Sequence, residues 1–102
     1  SVDAVVLTFL HLPPALRGSA HQRLSAALRP GGWVLLEAFH PKQLGNTSGG
    51  PRDISMLYTL DAVRQDFAHL NEVLAWEGEV LLDEGPGHQG VGHVTRWVGR
   101  RD

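Results

Sequence analysis

The chain has no cysteine, one methionine and one tyrosine among its 102 residues. Without thiols there is no disulfide and no thiolate metal site, which fits an unstapled cytoplasmic protein. No apolar run approaches the ~18 residues of a membrane-spanning helix. The opening Ser1-Val2-Asp3 lacks the basic stretch of a secretory signal. A charge excess is missing as well. Nine Lys and Arg against eleven Asp and Glu leave a net charge of −2. That gives no electrostatic reason to expect a nucleic acid or an anionic membrane as partner. There is no internal repeat and no low-complexity tract. What remains, 42% hydrophobic and 20% charged residues, describes one domain with a modest core. The chain goes straight into a strand-like segment, and this abrupt start leads us to expect a piece of something larger.

The most informative stretch is Leu28-Arg29-Pro30-Gly31-Gly32-Trp33-Val34-Leu35-Leu36-Glu37. Pro30 cannot continue a helix, because it lacks the amide hydrogen and clashes with the preceding turn. Gly31 and Gly32 can take the positive φ that reverses a chain. The apolar run after them is too short for a useful helix and reads as a strand, Trp33 to Phe39, buried on both faces. Upstream, Asp3 to Leu10 has the same pattern of a parallel strand covered on both sides. Between the two, Pro13 and Pro14 suit a helix's first turn. Leu16, Ala20, Leu24, Ala27 and Leu28 recur at helical spacing, predicting an apolar stripe. Gly18 and Ser19 weaken the early part, so the firm helix is expected from about Ser19 to Leu28. Strand, helix, reversal and strand make a βαβ crossover.

Residues 40–58 are rich in Gly, Pro, Asn and Ser without a sustained period, and a loop this long in a small domain is usually functional or mobile. We expect residues 41–57 to cap the carboxyl edge of the sheet. Thr59 reads as an N-cap, with Asp61 placed against the helix dipole. Leu60, Val63, Phe67 and Leu70 supply that helix's buried face. Glu72 to Asp83 reads as a strand with Leu74, Trp76, Val80 and Leu82 on one side and a bulge at Gly78. After a glycine-rich loop, His93 to Arg100 alternates as a last strand. Too few residues separate these two for a crossover, so they should pair antiparallel. With the right-handed crossover rule this predicts Trp33–Phe39 in the sheet interior. Asp3–Leu10 then lies beside it in parallel, His93–Arg100 antiparallel on its other side, and Glu72–Asp83 outermost.

This order resembles the C-terminal half of a class I S-adenosylmethionine-dependent methyltransferase. The fold class expected is α/β, a partial Rossmann-like three-layer sandwich whose mixed sheet ends in an antiparallel hairpin. Leu28-Arg29-Pro30-Gly31-Gly32 is similar to the family's L-(K/R)-P-G-G reversal. Asp3-Ala4-Val5-Val6 is similar to the start of its fourth strand, which a histidine often follows, as His11 does here. The tail Asp83-Glu84-Gly85…His88-Gln89-Gly90…His93-Val94 resembles small bacterial enzymes related to tellurite-resistance methyltransferases. The resemblance implies methyl transfer to a small molecule when the enzyme is complete, with S-adenosylmethionine as cofactor. It implies that Thr8, Phe9 and His11 border the cofactor and that His40 borders the acceptor. The family's glycine-rich cofactor loop and ribose-binding acid would lie upstream of Ser1. The missing half should leave the edge of Asp3–Leu10 unpaired and its apolar face uncovered, a route to a homodimer. The alternative is a non-catalytic remnant that acts as an interaction domain through that edge.

Gly85, Gly87 and Gly90 imitate the missing loop, G-x-G-x-x-G after an apolar strand and an acid. The motif needs a following helix to present its N-terminus to a ligand. Only 12 residues follow Gly90 and they read as a strand, so turn geometry explains the glycines. His11 and His40 both sit past the carboxyl end of a strand, where open α/β sheets bind ligands; each is either a site wall or a loop histidine bonded to backbone. Glu37 is either a general base or a carboxylate satisfied by nearby amides. No histidine pair has metal-ligand spacing on a helix. Arg96, Arg100 and Arg101 read as a solvated end, and Trp33, Trp76 and Trp97 as core or half-buried packing. Ser25, Ser48 and Ser55 lack a nucleophile context.

Overall fold

A computed structural model describes residues 2–46, 49–83 and 89–102. Four strands form one sheet: β1 (Val2–Thr8), β2 (Leu28–Phe39), β3 (Asn71–Asp83) and β4 (Gln89–Arg100). The order across the sheet is β1-β2-β4-β3. β1 and β2 run parallel, and β4 is antiparallel to both β2 and β3. This is the topology expected from the crossover rule and the short hairpin. Helices α1 (Pro14–Ala26) and α2 (Leu60–Asp66) belong to one face. On that face Leu7, Val34, Leu36, Ala38, Tyr58, Val63, Phe67 and Trp97 form the main core.

Several local expectations shift. α1 begins at Pro14, not near Ser19, because Pro13 and Pro14 set the backbone for the first turn. It ends at Ala26, and Leu28 already pairs with Val2. The reversal is therefore a bulge in β2: two steps along β1, Val2 to Ala4, face five along β2, Leu28 to Trp33. Gly31 takes φ +83°, and a Cβ on Gly32 would lie 2.9 Å from the carbonyl oxygens of both Arg29 and Asp3. The docking face of α1 is not the expected apolar stripe. Leu16 is 56% exposed, whereas His21 and Ser25 are buried. Gly78 pairs in register with Val94, and the bulge lies between Glu72 and Leu74. Gly78 leaves room for the Trp76 ring, whose nearest atom would be 2.6 Å from an added Cβ.

The opposite face is only partly covered. At its carboxyl end Phe39, Leu57, Leu82 and Val94 form a second core with Phe9, Leu44 and Val80. The described residues between Pro41 and Leu57 do cap this edge. Two 3₁₀ turns, Pro41–Gly45 and Ile54–Met56, bring Gln43 under the sheet. Its Oε1 accepts from the His93 amide at 2.8 Å, and its Nε2 donates to the Gly49 carbonyl at 3.0 Å. Farther down, Val6 is 65% exposed, and Leu35, Leu74 and Trp76 are exposed too. The strands patterned for cover on both faces thus have two layers of three here.

The charged chain end is anchored. Arg96 pairs with Glu37 at 2.5 Å and lies over Trp76; Arg100 lies over Trp33. Arg101 donates from Nη1 to the Leu28 carbonyl and, at 3.3 Å, to that of Ala26. A solvated end was expected, and unpaired carbonyls at the end of α1 supply the reason for the difference.

Gly32→Ala tests the bulge. Backbone oxygens cannot move aside as a flexible side chain would, so a loss of about 1–3 kcal/mol is expected in chemical denaturation.

Candidate functional site

The carboxyl ends of β1 and β2 lie side by side, where open α/β sheets bind their ligands. Thr8 ends β1 opposite Glu37. Phe9 follows with φ 52°, the one positive φ of a non-glycine residue among the described residues. Such strain persists only where the surroundings impose it and is concentrated at functional sites. Two contacts impose it here. The Phe9 amide donates to the Glu37 carbonyl at 2.7 Å, and its ring stacks on Phe39 with centroids 4.7 Å apart.

His11 ties this turn down. Its Nδ1 lies 2.7 Å from the Met56 carbonyl and its Nε2 accepts from the Phe39 amide at 3.1 Å. A carbonyl on one side and an amide on the other fix the neutral tautomer with the proton on Nδ1. Burial pushes its pKa down, against the opposing bond to Met56. Of the two readings, the geometry shows a histidine bonded to backbone, with both nitrogens engaged and its ring packed against Phe39 and Tyr58.

His40 is 7% exposed. Its Nε2 donates to Glu77 at 3.0 Å, and its Nδ1 accepts from the Lys42 amide at 3.1 Å. Burial lowers its pKa; Glu77 opposes that shift, and His93, with rings 4.7 Å apart, and Lys42 reinforce it. His40, Thr59, Asp61, Arg64 and Glu77 line a cavity of about 330 Å³. Thr8 lines a different one of about 320 Å³, on the bare face with Val6, Leu35, Glu37, Leu74 and Val98. The structure therefore gathers Phe9 and His11 around Phe39 and places Thr8 and His40 at separate cavities. Glu37 holds the Arg96 guanidinium at 2.5 Å, so an ion pair replaces both roles foreseen for it. Gly85 and Gly87 of the glycine-rich tail lie outside the described residues, and from Gln89 the chain is strand β4. Among the described residues no group of three donors is placed to hold a metal ion, and no helix is long and apolar enough to cross a membrane.

One cluster escaped the sequence reading. Asp66 Oδ2 accepts from Arg17 Nε and His21 Nδ1, each at 2.8 Å. His21 stacks on Phe67, and its Nε2 is buried without a partner. Beside it Ser25 Oγ lies 2.7 Å from His69 Nε2. Arg17, His21 and Ser25 recur every four residues, a polar stripe beside the apolar one, and that spacing was the available signal.

No family model matches the sequence, and no curated protein matches it. Solved structures do. One, from work on the conversion of a disulfide bond into a thioacetal group during echinomycin biosynthesis, is 15% identical, with a TM-score of 0.72 over 99% of this chain and 49% of its own. The N-methyltransferase NodS from Bradyrhizobium japonicum WM9 is 12% identical, with a TM-score of 0.63 over 97% of this chain and 50% of its own. A SAM-dependent methyltransferase from Methanosarcina mazei is 13% identical, with a TM-score of 0.68 over 99% of this chain and 59% of its own. The chain thus has a methyltransferase-like, Rossmann-type α/β fold. It spans about half the length of these neighbours.

Burial lowers the pKa of His11, His21 and His40, first in each case through desolvation. The fold holds them neutral, while the unfolded chain protonates them below about 6.5. Above that pH they leave stability unchanged; below it the unfolded state takes up more protons and stability falls. Denaturant midpoints should be flat from pH 7 to 8 and drop steadily toward pH 5. His21→Phe, which removes one of the three groups, should make the acid limb shallower.

Proposed function

We propose that this chain is the C-terminal part of an S-adenosylmethionine-dependent methyltransferase acting on a small molecule. The carrying observation is the strand order, with β4 inserted antiparallel between β2 and β3. This arrangement superposes over nearly the whole chain on two proteins named as methyltransferases. Methyl transfer is an in-line displacement in which the methyl group passes from a sulfonium to an acceptor lone pair. The protein's task is chiefly to align the two, so the lack of a dedicated nucleophile fits the reading.

Thr8, Phe9 and His11 serve as one wall of the cofactor site in this reading. The exposed Thr8 and the Phe9–Phe39 stack fit the edge of a ligand at the end of β1. His40, at the wall of its own cavity beside Glu77, belongs to the acceptor side. The tail motif supports a place among small bacterial enzymes of the tellurite-resistance type. A remnant that acts as an interaction domain through the edge of β1 is the second reading, and the exposed Val2 and Val6 on that strand fit it.

A cofactor site normally encloses most of its ligand, and one wall does not. Calorimetry on the isolated 102-residue chain should show no micromolar binding of S-adenosylmethionine. The chain joined to an upstream segment of similar length with an acid-G-x-G-x-G loop should bind it. Binding by the isolated chain would overturn the location of the site; no binding by either would overturn the methyltransferase reading.

A further inference from the structure

Side chains alternate along a strand, so Phe9 would follow Leu7 onto the face that carries the helices. It does not. Leu7 lies in the main core, whereas Phe9 packs on Phe39 in the second core across the sheet. The positive φ at Phe9 makes that switch. The place it vacates is taken by the turn that follows, which is held at both ends. The Phe9 amide donates to the Glu37 carbonyl at 2.7 Å, and the Leu12 amide donates to the Tyr58 hydroxyl at 2.8 Å. Leu10 is exposed between them, and the His11 ring bridges the two cores, 5.8 Å from Phe39 and 5.1 Å from Tyr58 between centroids.

We propose that Tyr58 is the positioning residue of this wall: its hydroxyl draws Leu12 onto the helix-bearing face and so holds Phe9 in its left-handed conformation. That Phe9 borders a cofactor rests on the methyltransferase reading; how Phe9 is held does not. An aromatic residue leaves the left-handed region unless its surroundings impose it. The bond to Glu37 and the stack on Phe39 hold only the strand side of the turn. The far side is held from Met56 to Tyr58, through the Met56 carbonyl on His11 and the Tyr58 hydroxyl on Leu12.

Tyr58 suits this task because it is itself fixed. It is 0% exposed. Its amide donates to the Phe39 carbonyl at 2.9 Å, and its carbonyl accepts from Thr95 Oγ1 at 2.6 Å. The Arg17 guanidinium of α1 lies over its ring. A side chain locked in this way hands the positions of β2, β4 and α1 on to the turn, as supporting residues do for a binding wall.

Nuclear magnetic resonance on the isotope-labelled chain reads this geometry. A positive φ brings the amide and α protons of one residue close together and gives a strong cross-peak between them. Wild-type Phe9 should show it. In Tyr58→Phe, which keeps the ring and removes the hydroxyl, the cross-peak should fall to the intensity seen for Leu7, with an unchanged circular dichroism spectrum. Thr95→Val removes the bond at the other end of the same residue. It should lower the denaturant midpoint much as Tyr58→Phe does and yet leave the Phe9 cross-peak intact, a separation that a merely stabilising role would not produce. Amide exchange in the wild-type chain carries the test if Tyr58→Phe does not fold. The amides of Phe9, Leu12 and Phe39, held by Glu37, Tyr58 and His11, should exchange through one opening with a common denaturant dependence. A wild-type Phe9 without the cross-peak, a cross-peak that survives in folded Tyr58→Phe, or an equal loss in Thr95→Val would overturn the proposal. So would a Leu12 amide that exchanges freely while that of Phe9 is protected. None of these readouts involves S-adenosylmethionine, so they stand or fall separately from the calorimetric test of the methyltransferase reading.

Discussion

Asp66 holds two donors on one carboxylate oxygen, Arg17 and His21, while it is 6% exposed. The crossover depends on that arrangement. α1 must lie over the sheet for Leu7, Val34 and Leu36 to leave water, yet the face it turns toward α2 is polar. Apolar burial alone would not hold such a face in place. A buried carboxylate without its donors carries a large desolvation penalty, so the pairing selects one placement of α1 against α2. The same contact fixes the His21 ring between Phe67 and Tyr58. Position thus comes from polar geometry, and the surrounding apolar core supplies most of the driving force.

The path of the chain could be read from residues whose effect is local. Pro30 and the two glycines announced a reversal, Thr59 an N-cap, and the short connection after Asp83 an antiparallel hairpin. The Thr59 hydroxyl does accept from the Ala62 amide at 3.1 Å. Handedness then left few orders for the sheet. The docking face of α1 was not legible, because hydrophobic periodicity says nothing about a carboxylate that another helix brings to meet it. Gly78 misled for a related reason. A glycine in a strand marks either a bulge or a close neighbour, and here the neighbour is the Trp76 ring.

The candidate site divides in the same way. That ligands would meet the carboxyl ends of β1 and β2 was legible, since it follows from topology. Which histidine nitrogens remain available was not. His11 bonds to Met56, 45 residues away, and to Phe39, 28 residues away, and no local pattern encodes either partner. The strain at Phe9 was equally hidden, because it arises from a ring stack across two strands.

Arg101 also sets the order of events during folding. Its amide donates to the Gly32 carbonyl, its carbonyl accepts from the Gly31 amide, and its guanidinium reaches Leu28 and Ala26. These partners sit some 70 to 75 positions earlier in the chain. Contacts that distant carry a loop-closure cost before they stabilise anything. The first crossover cannot lock before β4 has joined, because the residue that clasps its reversal lies 73 positions beyond Leu28. Until then β1 and β2 hold each other without β4, with apolar surface open on both sides. That exposure ends when β4 slots into the middle of the sheet.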